Sequence, residues 1–154
     1  MSDEAVEILL VEDDPLDLEL ALHCFRKHNL ADRVRVARDG VEALRCILGR
    51  GQDGHPIDHP RLVLLDLNLP LVDGLEVLRQ IKESPRTRSI PVVVLTSSRQ
   101  DSDVVDSYQL GVNSYIVKPV DFEQFAACVR TLGLYWLLLN QPAPSWVDAD
   151  GGEP

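Results

Sequence analysis

The chain has few cysteines, no long apolar run and no excess of basic charge, and each shortage narrows what it can be. Cys24, Cys46 and Cys128 are an odd number at wide, irregular spacing, and each falls inside a helical apolar pattern. They read as small core residues in a reducing compartment rather than as a disulfide framework or a metal knot. His23, His28, His55 and His59 lack the paired spacing of a metal-binding helix. With 15 Lys and Arg against 25 Asp and Glu, the formal net charge is −10. A phosphate backbone needs a basic face, so nucleic acid is excluded as a direct partner. No apolar stretch approaches the roughly 20 residues of a membrane span, and no basic-then-apolar segment opens the sequence. A cytoplasmic chain with no membrane partner is expected. Hydrophobic residues at 45% and charged residues at 26% of 154 suit one domain with a proper core.

What is present is organised around residues 61–74, RLVLLDLNLPLVDG. Leu62, Val63, Leu64 and Leu65 form a short apolar run of the kind buried in parallel sheets, and it ends in Asp66. Residues 8–11 repeat the pattern and end in Glu12, Asp13 and Asp14. Pro15 suits the first helical position and Asp14 its cap, which leaves Glu12 and Asp13 without a structural task. Leu18, Ala21, Leu22 and Phe25 then mark a helix ending near Asn29. Val34 and Val36 alternate with arginines, as in a strand near a sheet edge. A short helix runs from Val41 to a stop at Gly49, and residues 49–60, GRGQDGHPIDHP, read as a long surface loop. Leu75, Val77, Leu78 and Ile81 give a third helix. Residues 90–95 give a β-branched strand followed by Thr96, Ser97 and Ser98. Residues 101–110 carry a thin apolar stripe, predicting a loosely held fourth helix with Gly111 as its cap. Residues 114–117 form a fifth strand that leads into Lys118 and Pro119. Asp121 and Gln124 have the spacing of a helix-start box before a fifth helix. Strand then helix, five times over, predicts a parallel sheet covered on both faces.

Four of the strands therefore deliver Glu12 and Asp13, Asp66, Thr96 and Lys118 to one sheet edge, the edge where open α/β folds bind ligands. Each residue alone has a bland reading as turn, cap or surface group. Together they crowd carboxylates that repel by roughly 4 kcal/mol per pair at ~4 Å and an effective dielectric of about 20. Such a cluster must bind a cation or take protons back. One lysine cannot balance three acids, and an oxygen-only donor set favours Mg²⁺. A cation, a hydroxyl and a lysine around one carboxylate can stabilise a phosphoryl group arriving at Asp66, so an aspartyl phosphate is predicted.

The segments ILLVEDDP, LVLLDLNLPLVDG, PVVVLTSS and YIVKP resemble the signature of bacterial response-regulator receiver domains over about residues 6–140. The resemblance implies a flavodoxin-like, doubly wound (βα)5 fold with a five-stranded parallel sheet in order 2-1-3-4-5. It also implies that Asp66 is the phosphoacceptor, with Mg²⁺ held by Asp13, Asp66 and the backbone carbonyl of Asn68, and by Glu12 through water. Thr96 would bond the phosphoryl group and Lys118 would pair with it. Tyr115 matches the aromatic switch that turns inward with Thr96, and the Lys118–Pro119 bond is expected to be cis. Glu12 departs from the family, where many members have Asp. Phosphorylation would then alter the surface formed by the fourth helix, fifth strand and fifth helix.

The 49–60 excursion, the phrase DLNLP and the ending LGLYWLLLNQP are similar to single-domain regulators paired with bacterial phytochrome kinases. That resemblance implies a sensor histidine kinase, a bacteriophytochrome, as donor. Residues 122–140 would run about 28 Å as a helix, longer than a typical strand of ~17–20 Å. Its apolar end, Leu134, Tyr135, Trp136, Leu137 and Leu138, predicts a homodimer contact, against the alternative that loops or the tail cover it. Residues 1–141 are expected to form the domain and 142–154 a flexible tail, with Trp146 able to dock. Two rival functions are a Mg²⁺-dependent phosphohydrolase with an Asp nucleophile and a receiver-like domain that only binds proteins. The first usually carries a second Asp two residues after the nucleophile, where this chain has Asn68.

Overall fold

A computed structural model of the chain describes residues 7–49, 59–119, 121–141 and 143; the side chain of Leu138 and most of the expected loop and tail lie outside that description. Ten principal elements alternate: β1 (Ile8–Val11), α1 (Pro15–Lys27), β2 (Val34–Ala37), α2 (Gly40–Leu48), β3 (Leu62–Leu65), α3 (Gly74–Glu83), β4 (Val92–Thr96), α4 (Asp101–Leu110), β5 (Ser114–Val117) and α5 (Phe122–Leu134). The strands form one parallel sheet in the order β2-β1-β3-β4-β5, as the resemblance implied.

Strand side chains alternate between faces, and the core divides accordingly. Leu9, Val11, Val63, Leu65, Val92 and Val94 point to one face with buried residues of α2 and α3. Ile8, Leu10, Leu62, Leu64, Val93 and Leu95 point to the other, with Leu18 and Phe25 of α1 and Phe125 and Val129 of α5. The central strands β1, β3 and β4 are buried throughout, whereas β2 and β5 are half-exposed edges. Burying both faces of a strand requires an unbroken apolar run, which is what these three central segments contain.

The starts of α1 and α5 follow the predicted caps. Asp14 accepts from the N–H groups of Leu16 (2.8 Å) and Asp17 (3.3 Å), with Pro15 behind it at the first position. Asp39 and Asp73 cap α2 and α3 through Glu42 and Glu76, and Asp121 caps α5 through Glu123 and Gln124. α1 ends at Lys27, and Asn29 turns the chain in the left-handed region, where asparagine is tolerated. In α4 the only buried residue is Ser107, so its hold on the sheet is as slight as its thin stripe predicted. None of the described helices is long and apolar enough to cross a membrane.

At the chain's end α5 passes into a π-helical turn, Tyr135–Leu139. Leu137 is buried and Trp136 packs on the α1–α5 face of the core, while Arg61 donates to the Leu137 carbonyl at 3.1 Å. The expected all-apolar free end is thus half covered by the chain itself, with Trp136 and Leu137 on the α1–α5 core. Leu134, Tyr135 and Leu139 stay exposed at 36%, 48% and 76%.

Two glycines let the loop after β3 close on its neighbours. A Cβ on Gly74 would lie 2.4 Å from both the Asp66 carbonyl oxygen and the Leu67 Cα, and one on Gly40 would lie 1.9 Å from the Val72 carbonyl oxygen. The Gly74 N–H donates to Leu67 O at 3.0 Å and the Gly40 N–H to Pro70 O at 3.3 Å. Because the obstacle at Gly74 is backbone, Gly74→Ala is expected to cost about 1–3 kcal/mol, read as a lower urea midpoint with an unchanged slope.

Candidate phosphoryl-acceptor and metal site

Register builds the site. Val11 stands opposite Leu65 in the sheet, so Glu12 and Asp66, the next residues, leave it side by side. The Asp66 N–H still donates to Val11 O at 3.1 Å and the Glu12 N–H to Ala37 O at 3.0 Å, which continues the ladder by one residue. Thr96 closes β4 opposite Val117, and the Lys118 N–H donates to Thr96 O at 2.7 Å. Four groups separated by up to 106 positions thereby meet at one edge.

Asp66 is buried and both of its oxygens are engaged. Oδ1 accepts from Thr96 Oγ1 at 2.8 Å and from the Asn68 N–H at 3.0 Å. Oδ2 accepts from Lys118 Nζ at 2.8 Å. The same ammonium donates to Glu12 Oε1 at 2.6 Å and to Asp17 Oδ2 at 2.8 Å. Ligand oxygens of Glu12, Asp13 and Asp66 all lie within 4.8 Å of one another, with Asp13 open to solvent and the other two buried. Three hard oxygen donors converging on a partly open position fit a magnesium-sized cation that keeps several waters. The Asn68 side chain is exposed, and its backbone N–H is the group tied to Asp66.

Charge crowding appears as displaced proton affinities. Burial, reinforced by the charge of Asp66 and only partly opposed by Lys118, pushes Glu12 up to about 7. Asp66 is buried as well, but the hydrogen bonds from Lys118, Asn68 and Thr96 outweigh burial and hold it below the usual carboxylate range. Burial would lower Lys118, yet the bonds to Asp17, Asp66 and Glu12 prevail and raise it. Of the two expected remedies for crowded acids, a raised proton affinity is found at Glu12.

Tyr115 lies half-buried against the α2–α4 side of the core, and its hydroxyl donates to the Ser98 carbonyl at 3.0 Å. Ser98 Oγ in turn bonds Asp103 in the first turn of α4, and the Ser98 N–H reaches Thr96 Oγ1 at 3.4 Å. The Lys118–Pro119 bond is a correction: no described peptide bond is cis. An X–Pro bond favours trans by about 0.5–1 kcal/mol, and from a trans chain Lys118 still reaches all three carboxylates. Asp17 is the site residue that sequence reasoning missed. Its place in the first turn of α1 is that of ordinary helix-start acidity, and only the fold brings that turn to Lys118.

Residues 8–130 match the response regulator receiver domain family. The chain belongs to that family. This receiver is 45% identical over 139 residues to the probable methanogenesis regulatory protein FilR2 of Methanothrix harundinacea, an alignment covering 90% of this chain and 88% of FilR2. Among solved structures it is similar to the phosphorylated cyanobacterial phytochrome response regulator RcpA, at 36% identity and a TM-score of 0.82 over 91% of this chain and 99% of RcpA. The bacteriophytochrome response regulator AtBRR is 54% identical, with a TM-score of 0.66 over 90% of this chain and 99% of its own. The receiver thus closely resembles regulators associated with phytochromes.

Because the folded pKa of Glu12 lies above its ordinary value of 4.5, the folded receiver binds more protons than the unfolded chain between about pH 4.5 and 7. Its metal-free stability should fall as pH rises through that window. The stabilising shift at Asp66 is lost only at more acid pH, below the carboxylate range. Thermal melts in EDTA at pH 5 and pH 8 are expected to show a decline in wild type that is much reduced in Glu12→Gln.

Proposed function

We propose that this receiver accepts a phosphoryl group from a sensor histidine kinase onto Asp66, with Mg²⁺, and acts through the contacts its altered surface then makes. The observation that carries the reading is the convergence on one carboxylate: Lys118 Nζ and Thr96 Oγ1 each lie 2.8 Å from Asp66, beside the acidic trio. A carboxylate held ionised at pH 7 is a competent nucleophile toward phosphorus. Its oxygen forms the new O–P bond as the N–P bond of the donor phosphohistidine breaks, and the imidazole leaves with the electron pair. Lys118 passes its hydrogen bond from Asp66 Oδ2 to a phosphoryl oxygen, and Thr96 Oγ1 turns from Oδ1 to another. Glu12, Asp13 and Asp66, with the Asn68 carbonyl, would hold the cation, which supplies positive charge to the phosphoryl oxygens when bound.

Phosphorylation adds about −1.5 to −2 charges, and the switch reading follows from the links already described. Movement of Thr96 disturbs Ser98, which is bonded to Tyr115 of β5 and Asp103 of α4. With Ser107 as its only buried residue, α4 is easily biased between two positions. The α4–β5–α5 surface is therefore the output.

A bacteriophytochrome is the donor that the likeness to RcpA and AtBRR favours. Exposed Leu16, Leu71 and Phe122 lie on segments that open at the Asp66 edge, where a donor helix must approach. A cytoplasmic home suits that partner. Asn68, where an Asp-nucleophile phosphohydrolase usually carries its acid/base, supports an acceptor rather than a turnover enzyme. Phosphotransfer from a bacteriophytochrome kinase is expected to label wild type stoichiometrically and to leave Asp66→Asn unlabelled. Label on Asp66→Asn, or catalytic turnover of a phosphate ester, would overturn the reading.

The same proposal includes a homodimer, supported by the exposure of Leu134, Tyr135 and Leu139 along one helix end. Residues 1–141 act as the receiver, and the segment 142–154 is dispensable for phosphorylation. Sedimentation at micromolar concentration is expected to give a dimer for wild type and monomer for the Tyr135→Ser, Leu139→Ser double variant. A wild-type monomer would exclude the contact.

A further inference from the structure

The ammonium of Lys118 has three N–H donors, and three carboxylates occupy them: Glu12 at 2.6 Å, Asp17 at 2.8 Å and Asp66 at 2.8 Å. These partners are not equivalent. Glu12 and Asp66 belong to the acidic trio that converges within 4.8 Å, and Asp17 does not. Asp66, and Glu12 through water, would hold a divalent cation, whose charge would repel the ammonium beside them. Phosphorylation then replaces the Asp66 carboxylate with an acyl phosphate, removing one of its oxygens as a full acceptor. Asp17 is the partner that neither event consumes.

The helix start does not need Asp17 for capping, because Asp14 already accepts the first free N–H groups, that of Asp17 included. An additional negative charge beside a crowded acidic pocket raises the electrostatic cost there, yet the Asp17 carboxylate reaches inward to a lysine whose side chain is only 8% exposed. We infer that Asp17 is a positioning residue for the phosphoacceptor reaction, holding the Lys118 ammonium beside Asp66 while cation and phosphoryl group occupy the lysine's other two partners. The inference rests on the reading of Asp66 as phosphoacceptor. Anchored from α1, Lys118 meets the incoming phosphoryl oxygen from a fixed position and needs no rearrangement at the moment of transfer.

The test combines a spectroscopic and a kinetic measurement on the full chain. In wild type the Lys118 Nζ cross-peak, protected from solvent exchange, is expected to persist when Mg²⁺ saturates the site. In Asp17→Asn it should be present without metal and broaden away on Mg²⁺ addition. Phosphorylation by acetyl phosphate at saturating Mg²⁺ should slow roughly tenfold in Asp17→Asn, and Asp17→Glu should recover most of the rate, as expected when a reacting group loses its alignment. A wild-type cross-peak that vanishes with Mg²⁺, or an Asp17→Asn rate equal to wild type, would overturn the assignment. If wild type takes no phosphoryl group from any donor, the acceptor reading fails, while the Mg²⁺ titration of the Lys118 signal still decides whether Asp17 anchors the lysine. Should Asp17→Asn not fold, the wild-type titration alone decides.

Discussion

Among the described residues Lys118 is the cation that meets the pocket's acids, and the structure depends on where that charge is held. Its ammonium joins three separate elements: Glu12 at the end of β1, Asp17 in the first turn of α1, and Asp66 at the end of β3. Without it, buried Glu12 and Asp66 would face each other unscreened, and at low dielectric that repulsion is severe. With it, the acids share one positive charge, and the remaining imbalance shows in the raised proton affinity of Glu12 and in the pocket's capacity for a divalent ion. The same imbalance that makes the resting pocket costly makes it receptive to a cation and then to a phosphoryl group.

The scaffold makes that pocket affordable. Three central strands buried on both faces supply the apolar contact that stabilises the fold, and their carboxyl ends are held in register by the sheet. The loop after β3 is held by Gly74 packing on the Asp66 carbonyl, so the Asp66 carboxylate sits at the end of a buried strand with a closely packed turn behind it. By contrast, α4 has little apolar purchase. Stability is concentrated around the site and withheld from the element on the output surface, as a switch requires.

Much of this was legible in the text of the chain. The apolar runs at 8–11, 62–65 and 90–95 were readable as buried strands because both faces of such a strand must be apolar. The caps Asp14 and Asp121 were readable where an acid precedes a helical pattern, whereas Asp39 and Asp73 emerged as caps only in the structure, and the weakness of α4 followed from its thin stripe. Glu12, Asp13, Asp66, Thr96 and Lys118 could be singled out because each terminates a strand, and the alternation of strand and helix sends those termini to one edge. The chain end was less legible: an all-apolar stretch does not tell which of its residues the chain itself will cover, and a π-helical turn changes the 3.6-residue phase on which such a reading depends.

The sequence by itself determined a parallel sheet and the set of strand-end groups, because hydrophobic period and strand–helix alternation are local properties that leave few topologies; the strand order was implied by the family resemblance. The tertiary structure alone decided which charge meets which. Asp17 reads as helix-start acidity in isolation and becomes a partner of Lys118 only when α1 packs beside α5, and Trp136 and Leu137 pack on the α1–α5 core, with Arg61 bonded to the Leu137 carbonyl. Contacts between residues a hundred positions apart depend on how elements pack, and no local pattern encodes that distance.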